Sequence, residues 1–470
     1  MFNNVCTRRT ENFYWLLICI ICLQTGLSGH VFAQSPDKIK IEQELLAKAR
    51  SNIEQYRKGV AVIIITDSLG KPARNVKVEI NQQTQDFLFG NLSEEIFSPR
   101  LSTAEVAKFR DRFTALFNFT ELTVKWSPYE PEQGQPQWQK FQQKLDWCKQ
   151  NGVTPKGHTI GWTNMAGTPK WLLKLPHKQA TELYKARIWN LVGGFKNQVT
   201  MWDVVNEPVT TIPWEMALED SAFGASLIDE GTRYNTTAVR PEQVVSWVEK
   251  SFKWAAEADA SGEFMINEFN IVSKPAVREK YYQLIKELLQ RGAPVKGIGI
   301  QAHEPREMWF SPVEIVASFE RYKDFGLPLH ITEFIPQSSG KNITGGWREG
   351  VWTEEAQAEF AEQFYTLAFG YPLMKSIHWW GLSDKMIWLK GGGLLDRDLN
   401  PKPVYNRLLK LIKQDWMTKN VSATTNKKGE IYLRGFYGNY LLTIIRADGS
   451  RFTHSFHLAE KHSNQFDIKL

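Results

Sequence analysis

Two apolar stretches of this chain each stop on a glutamate. Val199 to Pro208 reads VTMWDVVNEP and Leu327 to Phe334 reads LPLHITEF, so Glu207 and Glu333 follow residues of the buried-strand type, with Asn206 and Thr332 just before them. A charge at the end of an apolar strand is costly unless it is paired or used. Pro208 lacks the N–H that a central strand needs, so it marks where the strand leaves its sheet and puts Glu207 at the carboxyl end. Two carboxyl groups at one mouth suit cleavage of a glycosidic bond. One protonates the leaving oxygen, and the other attacks the sugar carbon or activates water.

Groups that suit a sugar lie at the ends of other apolar runs. Lys125, His158, Asn206, Gln301 and His303 offer hydrogen bonds to hydroxyls, and Trp162, Trp379, Trp380 and Trp388 offer flat faces for a pyranose ring. A single Trp or His is more often structural, so the argument rests on the set. His158, His303 and Glu304 also compose a rival, a barrel metal hydrolase. Their spacing is neither His-x-His nor His-x-x-x-His, and Gln301 and Asn206 suit a sugar better than an ion, so neither metal nor cofactor is expected.

Positioning such groups at one mouth requires strand ends that converge. Runs Phe87 to Asn91, Phe119 to Trp126, Thr154 to Trp162, Val199 to Glu207, Phe264 to Asn270, Val295 to His303, Leu327 to Phe334 and Met374 to Gly381 read as strands. Helical patterns begin near Ala104, Trp138, Gln179, Pro241, Arg278, Pro312, Thr353 and Pro403. Eight strands each followed by a helix predict an α/β fold, a (β/α)8 TIM barrel, with chemistry at the carboxyl ends of its strands. No glycine-rich phosphate turn supports a doubly wound sheet. The predicted division is a signal peptide over 1–33, an N-terminal helix and β strands over 34–85, the barrel over 86–416 and a small C-terminal β domain over 417–470. Val60 to Thr66 and Val76 to Ile80 read as two strands joined by a tight connection and are candidates to complete that β domain, which is expected to be a structural cap.

With these residues in place, the chain resembles the family 10 glycoside hydrolases, the endo-xylanase family. The resemblance lies in GHTIGW (Gly157 to Trp162), WDVVNEP (Trp202 to Pro208), INEFN (Ile266 to Asn270), GIGIQAH (Gly297 to His303), LPLHITEF and WGLSD (Trp380 to Asp384), in the family's order. It implies a retaining endo-hydrolase of β-1,4-linked xylan-type polysaccharide, with Glu207 as acid/base, Glu333 as nucleophile and carboxyls about 5 to 5.5 Å apart. It further implies that Asn206 holds the nucleophile and the sugar 2-hydroxyl and that His303 orients the nucleophile. Glu121, Lys125, His158, Trp162, Gln301, Trp380 and Trp388 would line the sugar subsites. The pattern departs at Leu122, where the family has asparagine, and at Thr163, where it often has histidine. The alternatives are a non-catalytic glycan-binding or inhibitory protein on the same barrel, and a retaining hydrolase of another β-glycan.

The rest of the chain bounds the setting. Arg8 and Arg9, an apolar run from Phe13 to Leu23 and Val31-Phe32-Ala33 read as a signal peptide, so the mature chain is expected to be secreted, extracellular or periplasmic. Three of the four cysteines, Cys6, Cys19 and Cys22, lie in that segment, leaving Cys148 as a small hydrophobe. A net charge of +6 without a basic block argues against nucleic acid, and no later run approaches a membrane span. The expected partner is the polysaccharide alone, met by a monomer. Asn91, Asn118, Asn235, Asn342 and Asn420 begin N-x-Ser/Thr sequons, and Asn91 would crowd the mouth if it were glycosylated.

Overall fold

The computed structural model describes residues 35–164, 166–210, 241–303, 306–446 and 449–470. The signal segment, Glu304, Asn235 and most of the 210–235 loop lie outside them.

Eight strands close a parallel barrel: β3 (Leu88–Asn91), β4 (Phe119–Thr123), β5 (Thr154–His158), β6 (Met201–Asn206), β7 (Glu263–Glu268), β8 (Gly297–Ile300), β9 (Leu329–Phe334) and β10 (Met374–Trp379), with β10 beside β3. Every residue of β6 and β9 is buried, because helices cover the outer face while side chains fill the inside. Chain punctuation sets the helices. Those at Pro241–Ala258, Pro275–Gln290, Pro312–Glu320 and Pro403–Lys410 start on proline, whose missing N–H is no loss in a first turn. Ser102 and Glu105 form a capping box on Thr103–Leu116. Cys148 is buried in the helical layer, where burial pushes its thiol up to about 12, as befits an inert hydrophobe.

Along the barrel axis the filling changes character. Phe119, Met201 and Met265 make an apolar floor. Two residues further along the same strands stand Glu121, Asp203 and Asn267, since period-two alternation returns each side chain to the interior. The barrel therefore passes from an apolar floor through a charged layer to its mouth.

The terminal β segments form two sheets, one ordered β12 (Glu430–Phe436), β1 (Lys58–Thr66), β15 (Gln465–Lys469), the other β11 (Val421–Thr424), β2 (Lys77–Gln82), β13 (Gly438–Ile445), β14 (Arg451–Leu458). β1 and β2 do not pair with each other despite their tight connection. Ala61, Ile63 and Ile65 from one sheet meet Val78, Ile80, Tyr440 and Leu442 from the other in a separate core. Arg57, just before β1, joins this layer to the barrel through Nη2 to Tyr371 O (2.6 Å) and Met374 O (2.8 Å).

Candidate active site

Asn206 and Glu207 stand where β6 ends. Glu207 has φ of 57°, the left-handed region that residues with a Cβ seldom enter, and its N–H is held by Asn267 O of the next strand at 2.8 Å. Such strain persists where the surroundings enforce it. Its Oε1 accepts from Asn206 Nδ2 and Gln301 Nε2, both at 3.1 Å, and its Oε2 from Trp162 Nε1 at 2.8 Å.

Asn206 Oδ1 is the hub of the site. It accepts from Gln301 Nε2 at 3.2 Å and from Asn267 Nδ2 at 2.8 Å, and the latter amide also donates to Glu333 Oε1 at 3.1 Å. Gln301 thus reaches Glu207 and Asn267 reaches Glu333, on either side of one carbonyl oxygen. Thr332 Oγ1 donates to Asn267 Oδ1 at 2.7 Å and orients that amide. The strand pairing of Asn206 with Asn267 brings the set together, and Gly299 leaves room for it: a Cβ there would lie 2.4 Å from Asn267 Oδ1.

His303 Nε2 lies 2.6 Å from Gln301 Oε1 and 3.8 Å from Glu333 Oε2. Gln301 presents its amide nitrogen to Glu207, so its oxygen must accept, and His303 donates through Nε2. Burial pushes His303 down to about 4, which keeps the ring neutral. Its described side-chain hydrogen bond is thus to Gln301, which in turn holds Glu207 and Asn206, with Glu333 farther off. Burial raises both carboxyls, Glu207 despite hydrogen bonds from Gln301 and Trp162, and Glu333 well above the ordinary range with further lifting by Glu121 and Glu207.

Glu121 lies below the mouth, 1% exposed, with Oε1 2.6 Å from Lys156 Nζ. It belongs to the charged layer, level with Asp203 and Asn267. Lys156 Nζ is also 2.8 Å from Asp203 Oδ2, and His158 Nδ1 is 2.8 Å from the same oxygen. Burial pushes Glu121 up to about 8. Burial would also raise Asp203, but Lys156 and the His158 hydrogen bond outweigh it and hold Asp203 below the ordinary range. One ammonium thus balances one carboxylate. Glu121, His158 and Asp203 are the group of described residues with metal-ligand proximity, and Lys156 stands at the place of the cation. Lys156→Met should lower unfolding free energy by about 3–5 kcal/mol, because a buried carboxylate loses its partner. Denaturant titration against the parent measures it.

The flat faces sort differently from the sequence reading. Trp380 is edge-on to His158 with centroids 5.2 Å apart, Lys125 Nζ is 4.8 Å from the Trp162 centroid, and Trp388 is 54% exposed beside His303. These remain available at the mouth. Trp379 does not, being fully buried against Phe334 with its Nε1 donating to Gly392 O at 2.9 Å. Leu122 is buried in the core outside the barrel, and Thr163 is buried too. Asn91 is wholly buried and accepts from Gly381 N at 3.2 Å, which closes it to glycosylation in the folded chain.

Asn267, Lys156, Asp203 and Glu268 were not among the expected site residues. Their signal was present as polar residues within apolar strands, in KGH, WDVV and INEF. Glu268 is fully buried, and burial followed by the charge of Glu207 raises it well above the ordinary range.

The family model of glycosyl hydrolase family 10 matches residues 85–411, the whole barrel. The chain belongs to glycosyl hydrolase family 10. Among curated relatives, endo-1,4-beta-xylanase B of Thermotoga neapolitana is 27% identical over 301 residues, covering 62% of this chain and 79% of its own. A beta-1,4-xylanase of Dictyoglomus thermophilum is 28% identical over 309 residues, covering 62% and 82%. Among solved structures, xylanase 10B of Thermotoga petrophila RKU-1 in complex with xylobiose aligns with a TM-score of 0.54 and 25% identity, covering 70% of this chain and 95% of that one.

Proposed function

We propose that this family 10 glycoside hydrolase is a secreted retaining endo-1,4-β-xylanase that works by double displacement, with Glu207 as acid/base and Glu333 as nucleophile. The observation that carries the reading is the amide bridge, in which Asn206 Oδ1 accepts from the two amides that also bind Glu207 and Glu333. The names of the relatives point to β-1,4-xylan as the substrate.

In the first step Glu333 attacks the anomeric carbon while Glu207 gives its proton to the departing glycosidic oxygen. Glu333 is then an ester and its charge is gone. Glu207, now a carboxylate, takes a proton from water as the water attacks the ester-bound carbon, which returns Glu333 to its ionised form. Asn206 would meet the 2-hydroxyl, where a hydrogen bond strengthens as positive charge develops on the sugar. Trp162, Trp380 and Trp388, with Lys125 and His158, are the groups available to line sugar subsites.

The raised carboxyls set a pH dependence. The pair titrates as a unit and must hold one proton to react. As pH falls through the lower apparent pKa a second proton arrives and the nucleophile is lost; as pH rises through the upper one the acid is lost. Both groups are raised, so both limbs of the bell should lie above the ordinary carboxylate value of about 4.3, with the optimum shifted toward neutrality. A profile of kcat/KM against pH checks this, and an acidic limb at or below the ordinary value would count against it.

The substrate is tested by reducing-sugar release from xylan, arabinoxylan, β-glucan and mannan, with Glu207→Ala as the control. Xylan should be preferred. A protein that binds these glycans and cleaves none would be a non-catalytic member. Secretion is tested by sequencing the mature N-terminus, expected directly after Ala33.

A further inference from the structure

We propose that Glu268 is a positioning residue for Glu207, clamping the turn that holds the acid/base in its left-handed backbone conformation. This rests on Glu207 being the acid/base. Glu268 ends β7, beside the strand that ends at Asn206. Its Oε2 accepts the Val209 N–H at 2.8 Å, and its Oε1 accepts the Thr210 hydroxyl and the Phe269 N–H, both at 3.0 Å. Two of these three donors belong to the second and third residues after Glu207. The turn closes on itself as well, since Thr210 N donates to Glu207 O at 3.2 Å.

Glu207 is therefore fixed from two sides. Asn267 O holds its N–H, and the next residue of the same strand, Glu268, holds the chain that follows. Val209 also packs its side chain against the core, but the described hydrogen bonds from Val209 and Thr210 to the neighbouring strand all end on Glu268; without them a residue with φ of 57° would relax toward ordinary backbone angles. That relaxation would swing the Glu207 carboxyl away from Gln301 and Asn206. A turn elsewhere on a surface is capped by Asn, Asp or Ser. A fully buried glutamate in that role, close enough for the charge of Glu207 to raise it, is explained by what the turn carries.

The test exploits the leaving group. A sugar hydroxyl leaves only if protonated, whereas 2,4-dinitrophenolate leaves without a proton, so a misplaced acid impairs only the first. Glu268→Ala should lower kcat/KM on xylan by about 100-fold and on 2,4-dinitrophenyl β-xylobioside by less than about threefold. Glu268→Gln, which keeps a carbonyl oxygen for Val209 N–H, should lose less than about tenfold on xylan. If Glu268→Ala does not fold, Thr210→Val removes one clamp donor and should show the same selectivity at about fivefold. Equal losses on both substrates, or no loss on xylan, would overturn the proposal. Glu207→Ala is assayed alongside. If it shows the selectivity and the Glu268 and Thr210 variants do not, the clamp alone fails; if it too lacks the selectivity, the acid/base assignment and the clamp fall together.

Discussion

Glu333→Ala should lose on the order of 10⁵-fold in kcat, the scale seen when a covalent nucleophile is removed, on xylan and on an activated aryl xylobioside alike. The loss is independent of leaving group because the first bond to the anomeric carbon cannot form. Stability should be kept or raised, since the variant deletes a buried carboxyl that lies against Glu121 and Glu207. Thermal unfolding beside the kinetics separates this from misfolding. A loss below about tenfold would remove Glu333 from the nucleophile's role.

Glu207→Ala should behave differently. On xylan it should lose about 10²–10⁴-fold, the usual worth of a positioned general acid, while a substrate with an acidic phenol should still form the glycosyl-enzyme. The ester then waits, because nothing deprotonates water. Azide, which needs no base, should attack it and yield a glycosyl azide of retained configuration. Absence of rescue together with an inverted product would show that water attacks the sugar directly.

How far these roles were legible in the residues depended on whether they needed register. The apolar runs from Phe87 to Met374 foretold the eight barrel strands, because strands buried on both faces carry no competing pattern. β15 was not expected, since Gln465 to Lys469 interleaves polar residues and buries only Ile468 of its own five. Glu207 and Glu333 stood out by ending such runs. Asn267 did not, although INEFN was noted, because its meaning needs the pairing with Asn206 and the gap at Gly299. Trp379 and Trp380 are neighbours facing opposite ways, and composition cannot say which is the platform. Contact with Phe334 buries Trp379 and removes it from the candidates. Lys156 was not read as the partner of Glu121, because their ion pair needs the register of β4 with β5, which sets Glu121 opposite Lys156.

The central claim is that Glu333 forms a covalent bond to the sugar while Glu207 handles the proton. Incubation with a 2-deoxy-2-fluoro-xylobioside bearing a good leaving group, followed by peptide mass mapping, tests it most directly, because the fluorine slows hydrolysis of the ester. The label should appear, one per chain, on the peptide containing Glu333, and Glu333→Ala should take none. A label on any other residue, or turnover of xylan by an enzyme that never takes the label, would contradict it.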